Sequence, residues 1–373
     1  MAYITHLSAV LPNEPVTNDR IESVLGSMGD RSSRVKDRVL RSNGIKARHY
    51  AIDPESGVAS HSHAQLTAEA VRDLCSKSGV AVDDIQLLVS GTSSADQVVP
   101  NHALMVIGEL GGPPCEAVCT TGVCASGMAA LKYASMAVDV GHCDHAVVTA
   151  SELVSSQLRA SYLTRHATGD RLPYEQEFLR WMLSDAAAAV LVSKTPNAGQ
   201  SNLRIDWLDI TTFAGQTETC MYSGGVKQAD GTLRGYFVEC ADENNRIPQG
   251  YVTLRQDTRV LLKHIVPLGA EFLKMRQQRR QLRAEDIDWF LPHLSSEVFR
   301  KPLHDALGEI GLEVPMSRWF TNLVQKGNTG SASIFVMLED LVASRRLVAG
   351  EHVYCVVPES ARFSYADMML TVS

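Results

Sequence analysis

Between Glu116 and Leu153 the chain sets a turn of small residues directly ahead of a helix with almost no polar face. An apolar run, Ala117-Val118-Cys119, leads into Thr120-Thr121-Gly122 and then Val123-Cys124-Ala125-Ser126-Gly127. From Met128 to Val138 the composition is helical, and Lys132 and Ser135 are the only strongly polar residues before Asp139. A helix apolar nearly all round belongs inside a protein, so other elements must cover it. Gly141 ends it, and His145 to Thr149 reads as a buried strand.

Cys124 therefore sits at a tight turn feeding a buried helix. Unpaired N–H groups and the positive end of the helix dipole converge there, a setting expected to lower the thiol's pKa. The small residues Ala125, Ser126 and Gly127 leave room for a substrate carbonyl to reach backbone N–H groups that could hold an oxyanion. The alternative is a buried structural cysteine.

With 373 residues the chain can form one large domain or two halves. A net charge of −7 argues against general nucleic-acid binding. The eight cysteines are scattered without CxxC pairs, which favours reduced thiols over a disulfide framework. The first residues, MAYITHLSAVLPNEP, lack the pattern of an export signal, and no apolar run is long enough to span a membrane. The expectation is a soluble, cytoplasmic protein.

Further along, His63 to Ser78 and His102 to Leu110 read as helices, and Ile85 to Val89 as a buried strand. Residues 154–181 look like an insertion that caps something. Ala186 to Ser193 and Leu203 to Phe213 are strands, and residues 214–249 are Gly-rich and polar. A long helix is expected from Tyr251 to Arg280, with a kink at Pro267. The strand Ile287 to His293 delivers a histidine at its end. Then come a helix from Glu297 to Ile310, a Gly/Asn/Ser turn from Asn322 to Ser333, a helix from Ile334 to Arg346, and two closing strands.

These elements repeat one plan: small-residue turn, buried helix, glycine, strand and later strand, from Gly122 to Val192 and again from Gly327 to Val372. Such alternation implies helices packed on largely parallel or mixed sheets. Two similar halves face to face bring equivalent helix starts together, and Cys124 and Asn328 hold the equivalent turns. With His293 at a strand end, a thiol, an imidazole and a carboxamide form one set. The thiolate attacks an acyl carbon, and the other two donate hydrogen bonds to an oxyanion or enolate. Taken singly, His293 and Asn328 read as structural residues.

Val-Cys124-Ala-Ser-Gly-Met, Leu-Pro-His293-Leu-Ser-Ser and Asn322-Leu-Val-Gln-Lys-Gly-Asn328-Thr-Gly-Ser-Ala-Ser together resemble the thiolase superfamily, and within it the ketoacyl synthase III type of condensing enzyme. Arg41-Ser-Asn-Gly-Ile-Lys-Ala-Arg48 resembles that family's early Arg-Thr-Gly-Ile segment. The resemblance covers essentially the whole chain. It implies an α/β, five-layered αβαβα fold of two duplicated halves, residues 1–200 with the nucleophile and 201–373 with His293 and Asn328. It also implies a homodimer and Cys-His-Asn catalysis.

Gly44-Ile-Lys-Ala-Arg-His-Tyr50, Val99-Pro-Asn-His-Ala103 and Ala150-Ser-Glu152 are closest to the branch that makes dialkylresorcinol or stilbene precursors. Such enzymes join a β-ketoacyl thioester to an α,β-unsaturated acyl thioester and close a cyclohexanedione ring. One departure is His293-Leu-Ser-Ser296, where ketoacyl synthase III enzymes often carry His-Gln-Ala-Asn; it hints at a reshaped pocket.

Glu152 is a possible extra base for ring closure, or equally a strand-end carboxylate satisfied by its neighbours. The basic stretch Arg31, Arg34, Lys36, Arg38, Arg41, Lys46 and Arg48 suits an anionic partner or is a solvated helix face. The resemblance makes that partner coenzyme A or an acyl carrier protein, whose phosphopantetheine thioester is the substrate, with Arg41 and Arg48 at a positive mouth and no permanently bound cofactor. Arg276, Arg279, Arg280 and Arg283 could contribute. The alternatives are ordinary ketoacyl synthesis or O-acyl transfer on the same scaffold, a silent partner subunit, and, remotely, a cysteine protease.

Overall fold

The computed structural model describes residues 1–28, 33–166, 173–199, 201–240 and 250–373. Among these, nine strands build the main sheet: β1 (Tyr3–Val10), β2 (Leu87–Thr92), β3 (Glu116–Thr121), β4 (His145–Glu152), β5 (Ala186–Ser193), β6 (Leu203–Thr212), β7 (Trp289–Pro292), β8 (His352–Glu359) and β9 (Ser364–Val372). Their order across the sheet is β7-β8-β9-β6-β1-β5-β4-β2-β3. Strands β3, β2 and β4 are parallel, whereas β5 and β1 run antiparallel beside them. In the second group β7 and β8 are parallel, and β9 and β6 follow antiparallel. The groups meet through a short contact, Tyr3 with Arg204 and Ile4 with Leu203.

Six helices complete the layers: α1 (His63–Ser78), α2 (His102–Leu110), α3 (Ser126–Asp139), α4 (Thr258–Arg280), α5 (Arg300–Glu309) and α6 (Ser333–Ala343). Side chains alternate across each strand, so each group of strands has two apolar faces. Val89, Val148 and Val190 of the first group join Val353, Cys355 and Met368 of the second in one core around α3 and α6. The opposite face of the first group, through Leu88, Val147 and Leu191, packs on α1 and α2. Tyr354, Val356 and Tyr365 on the opposite face of the second pack on α4 and α5. Five layers result, helix–sheet–helix–sheet–helix, the arrangement the family resemblance implied.

Local chemistry sets the helix starts. Ser62 caps α1 in a reciprocal box with Gln65. Asp257 caps α4 through the N–H groups of Arg259 and Val260, so that helix opens at Thr258 rather than at Tyr251. Strand β2 runs on through Gly91 to Thr92, past the end expected at Val89. A Cβ there would lie 2.5 Å from the Ser126 carbonyl oxygen, so glycine lets the start of α3 rest against the strand. Helix α3 is buried along Met128, Ala130, Leu131 and Ala134, yet Tyr133 and Met136 on its other side are exposed. Its enclosure is therefore one-sided in the single chain.

Candidate active site

Cys124, Glu152, His293 and Asn328 line one cavity, with Ser93 and Ser295 as further polar neighbours. Cys124 lies in the turn between β3 and α3, with Ser126 N–H bonded back to the Val123 carbonyl at 3.2 Å. His293 follows β7 directly, and its backbone N–H reaches the Val356 carbonyl at 2.8 Å. Asn328 precedes α6 and is locked from both sides: its N–H bonds Met182 O and its carbonyl accepts from Ser184 N–H. Residues this far apart in the chain would not meet by local folding; the five-layer stack brings the ends of these three elements to one place.

The His293 ring is buried, and its Nε2 has no hydrogen-bond partner among the described residues. Burial holds its pKa down to about 4, so the imidazole is neutral at ordinary pH. Asn328 Oδ1 accepts from the Gly330 N–H at 3.0 Å, which leaves the amide NH2 as the end available to a ligand. A neutral imidazole and an amide facing one cavity can serve an oxygen that gains negative charge.

Glu152 is buried, and four donors already occupy it. Oε1 accepts from the N–H groups of Ser93 (3.2 Å) and Ser331 (3.3 Å). Oε2 accepts from the hydroxyls of Ser93 (2.7 Å) and Ser94 (2.6 Å). Burial raises its pKa, and these bonds oppose that. These donors support the reading of Glu152 as a carboxylate satisfied by its neighbours, and its side chain also lines the cavity.

The expectation that the helix start lowers the Cys124 pKa is overturned. Burial pushes the thiol up, and the carboxylates of Glu359 and then Glu152 push it further. The missed residue is Glu359 at the end of β8. Its Oε2 accepts from Val123 N–H at 2.9 Å and Ala125 N–H at 3.2 Å. Ala125 is thereby withdrawn from the set of free N–H donors. Gly127 is also not an open approach, since a Cβ there would lie 2.7 Å from Ala150 Cβ. The only sequence signal for Glu359 was an acidic residue ending an otherwise apolar strand.

Arg48 is a second correction. It is fully buried, with Nη1 donating to Asn18 Oδ1 and Nη2 to the Trp181 carbonyl, so it cannot form a positive mouth. Arg41 is exposed in the last turn of the helix Ser33–Asn43. Lys36 is paired with Glu22 at 2.6 Å. Arg31 and the Arg34 side chain lie outside the described residues. In the later group, Arg276 is buried against Asp367 at 3.0 Å, and Arg280 and Arg283 pair with Asp209 and Asp286.

The remaining cavity walls are apolar and come from two directions. Leu179, Met182, Met221 and Leu254 belong to one apolar cluster with Val154, Leu158 and Trp181 of residues 154–181, the segment expected to cap something. Leu261, Ile265, Leu273, Leu303 and Tyr365 belong to the packing of α4 and α5 on the sheet. Gly269 of α4 also lines the cavity, and a Cβ there would lie 3.3 Å from the Tyr365 ring.

Residues 277–360 match the family model for the C-terminal region of 3-oxoacyl-[acyl-carrier-protein] synthase III. The chain is 22% identical over 362 residues to the β-ketoacyl-[acyl-carrier-protein] synthase III of Chlorobaculum tepidum, covering 95% of this chain and 94% of that protein. It superposes on AbyA1, a tetronic acid condensing enzyme, with a TM-score of 0.78 at 20% identity over 100% of both chains. The chain has the fold of the thiolase-like condensing enzymes. An OleA variant of Xanthomonas campestris, crystallised with lauric acid and lauroyl-CoA, shares this condensing-enzyme fold with a TM-score of 0.76, 19% identity and 99% and 98% coverage. Among the described residues no helix is long and apolar enough to cross a membrane.

Proposed function

We propose that the protein is a condensing acyltransferase that works through an acyl thioester on Cys124. The observation that carries this reading is the meeting of Cys124, His293 and Asn328 at one cavity whose other walls are largely apolar. The Cys124 sulfur attacks the acyl carbon of a thioester, the bond to the carrier thiol breaks, and the thiol proton leaves with that carrier thiol. A second acyl thioester then loses its α-proton to become the carbon nucleophile; this carbon bonds to the acyl carbon as the bond to the Cys124 sulfur breaks, and the proton ends on the released Cys124 thiol. His293 Nε2 and the Asn328 amide donate to its enolate oxygen and to the oxyanion formed on addition. The acyl chains lie along the leucine and methionine walls.

The finer reading is the dialkylresorcinol-precursor reaction. A β-ketoacyl thioester joins an α,β-unsaturated acyl thioester, and ring closure gives a cyclohexanedione. Its support is the sequence resemblance and the two apolar walls, one for each chain. Ordinary β-ketoacyl-[acyl-carrier-protein] synthesis is the second reading, favoured by the match over residues 277–360. Incubation with both thioesters separates them: a cyclic dione supports the first, and a linear β-keto product supports the second.

The same reading includes a division at residues 1–200 and 201–373, coenzyme A or an acyl carrier protein as the thioester carrier, and Arg41 as a contact for that anion. It also includes a homodimer. Strand β3 is a sheet edge, and exposed Tyr133, Met136, Val98 and Leu104 lie on the elements around it. Light scattering at micromolar concentration should give twice the chain mass.

A further inference from the structure

The Glu359 carboxylate is an unusual occupant of the turn beside Cys124. It comes from β8, far from residues 122–126 in sequence, and its Oε2 takes the N–H groups of the residues immediately before and after Cys124. A Cβ on Gly122 would stand 3.0 Å from the same oxygen, so the turn is moulded around it. A helix start attracts an anion, and here the chain supplies its own.

We propose that Glu359 is a positioning residue for Cys124: its carboxylate grips the peptide groups on both sides of the thiol and sets a negative charge beside the sulfur. This rests on the reading of Cys124 as the acyl-accepting nucleophile.

Among the described residues, three titratable groups stand beside that position, each at the end of a different strand: Glu359 closes β8, Glu152 closes β4 and His293 follows β7. Glu152 is held by four donors and His293 is neutral, so Glu359 is the charge fixed on the turn itself. Burial raises its pKa, and the Val123 and Ala125 N–H groups oppose that by holding the ionised form. A resting thiolate is not needed for acyl transfer. The sulfur–carbon bond forms as the carbon–sulfur bond to the carrier breaks, and the proton ends on the departing carrier thiol. A protonated resting thiol is also a poor target for stray electrophiles and oxidants.

The test is the rate of Cys124 alkylation by iodoacetamide between about pH 6 and pH 10, followed by peptide mass spectrometry. Glu359→Gln keeps an acceptor oxygen for the turn and removes the charge. Its profile is expected to move to lower pH, with roughly tenfold faster alkylation near neutral pH. Glu359→Ser removes the same charge with a smaller side chain and serves if the Gln variant does not fold. Glu359→Asp keeps the charge and is expected to keep the wild-type profile. A folded neutral variant whose profile superimposes on the wild type overturns the proposal, as does an Asp variant displaced as far as the neutral ones. Alkylation requires no acyl transfer, so a failure here is separable from an absent acyl adduct on the wild-type protein.

Discussion

Glu152 Oε1 accepts the backbone N–H of Ser331 at 3.3 Å, joining the end of β4 in the Cys124 half to the turn that carries Asn328. The same carboxylate holds Ser93 and Ser94. It is a buried hub where three segments of the cavity wall meet, and its replacement should be felt in all of them.

Glu152→Gln can keep its amide oxygen on the Ser93 and Ser331 N–H groups, but its NH2 then forces the Ser93 and Ser94 hydroxyls to turn from donors into acceptors. Trading these charge-assisted bonds for neutral, rearranged ones costs about 1–3 kcal/mol. Denaturant unfolding should show that loss, and acyl loading and condensation should fall together. A variant that loads Cys124 normally and fails only at ring closure would instead restore Glu152 as a base.

Gly330 has φ of 55° and a would-be Cβ 2.6 Å from Glu152 Cγ. Gly330→Ala therefore meets both backbone strain and a side-chain clash, and should cost more than about 1 kcal/mol. Because the Gly330 N–H is the partner of Asn328 Oδ1, activity should fall further than stability. Urea midpoints and initial rates on the same preparation check this.

Gly269 lies against Tyr365 on the cavity wall, so a larger side chain there must push the ring aside or enter the cavity. Gly269→Leu should shorten the acyl wall. KM for long-chain thioesters is expected to rise by about tenfold or more while short chains are little changed, the signature of lost chain binding.

His293 has a folded-state pKa of about 4 against 6.5 in its ordinary state. The unfolded chain therefore takes up a proton below about pH 6.5 that the folded protein refuses until about pH 4, so this group withdraws stability as pH falls through that window. Between pH 7 and pH 5 the withdrawal is about 2 kcal/mol. His293→Ala should lose less stability than the wild type over that interval by about this amount, read from denaturant midpoints. Equal losses would contradict a buried neutral imidazole.

The sequence carried the layered fold because its signals were local. The apolar α3 stretch, the strand alternation and the glycines after helices each specify an element without reference to distant partners. The same was true of Cys124, His293 and Asn328, which lie at element ends that the duplicated plan makes equivalent. What it hid depends on the third dimension. Nothing in ESARF around Glu359 says that its carboxylate reaches the peptide groups flanking Cys124. Nothing in a basic run separates the buried Arg48 from the exposed Arg41. The thiol's pKa was misjudged for the same reason: the helix start was visible, while the two carboxylates beside it were not.

The central claim is that Cys124 accepts the acyl group. Intact-mass and peptide analysis after incubation with a medium-chain acyl-CoA, or with the same acyl group on a carrier protein, tests it directly. One acyl mass on the peptide containing Cys124, absent in Cys124→Ala, is the expected result. An unmodified Cys124 in folded protein given both carriers, or an adduct that persists in Cys124→Ala, would contradict it.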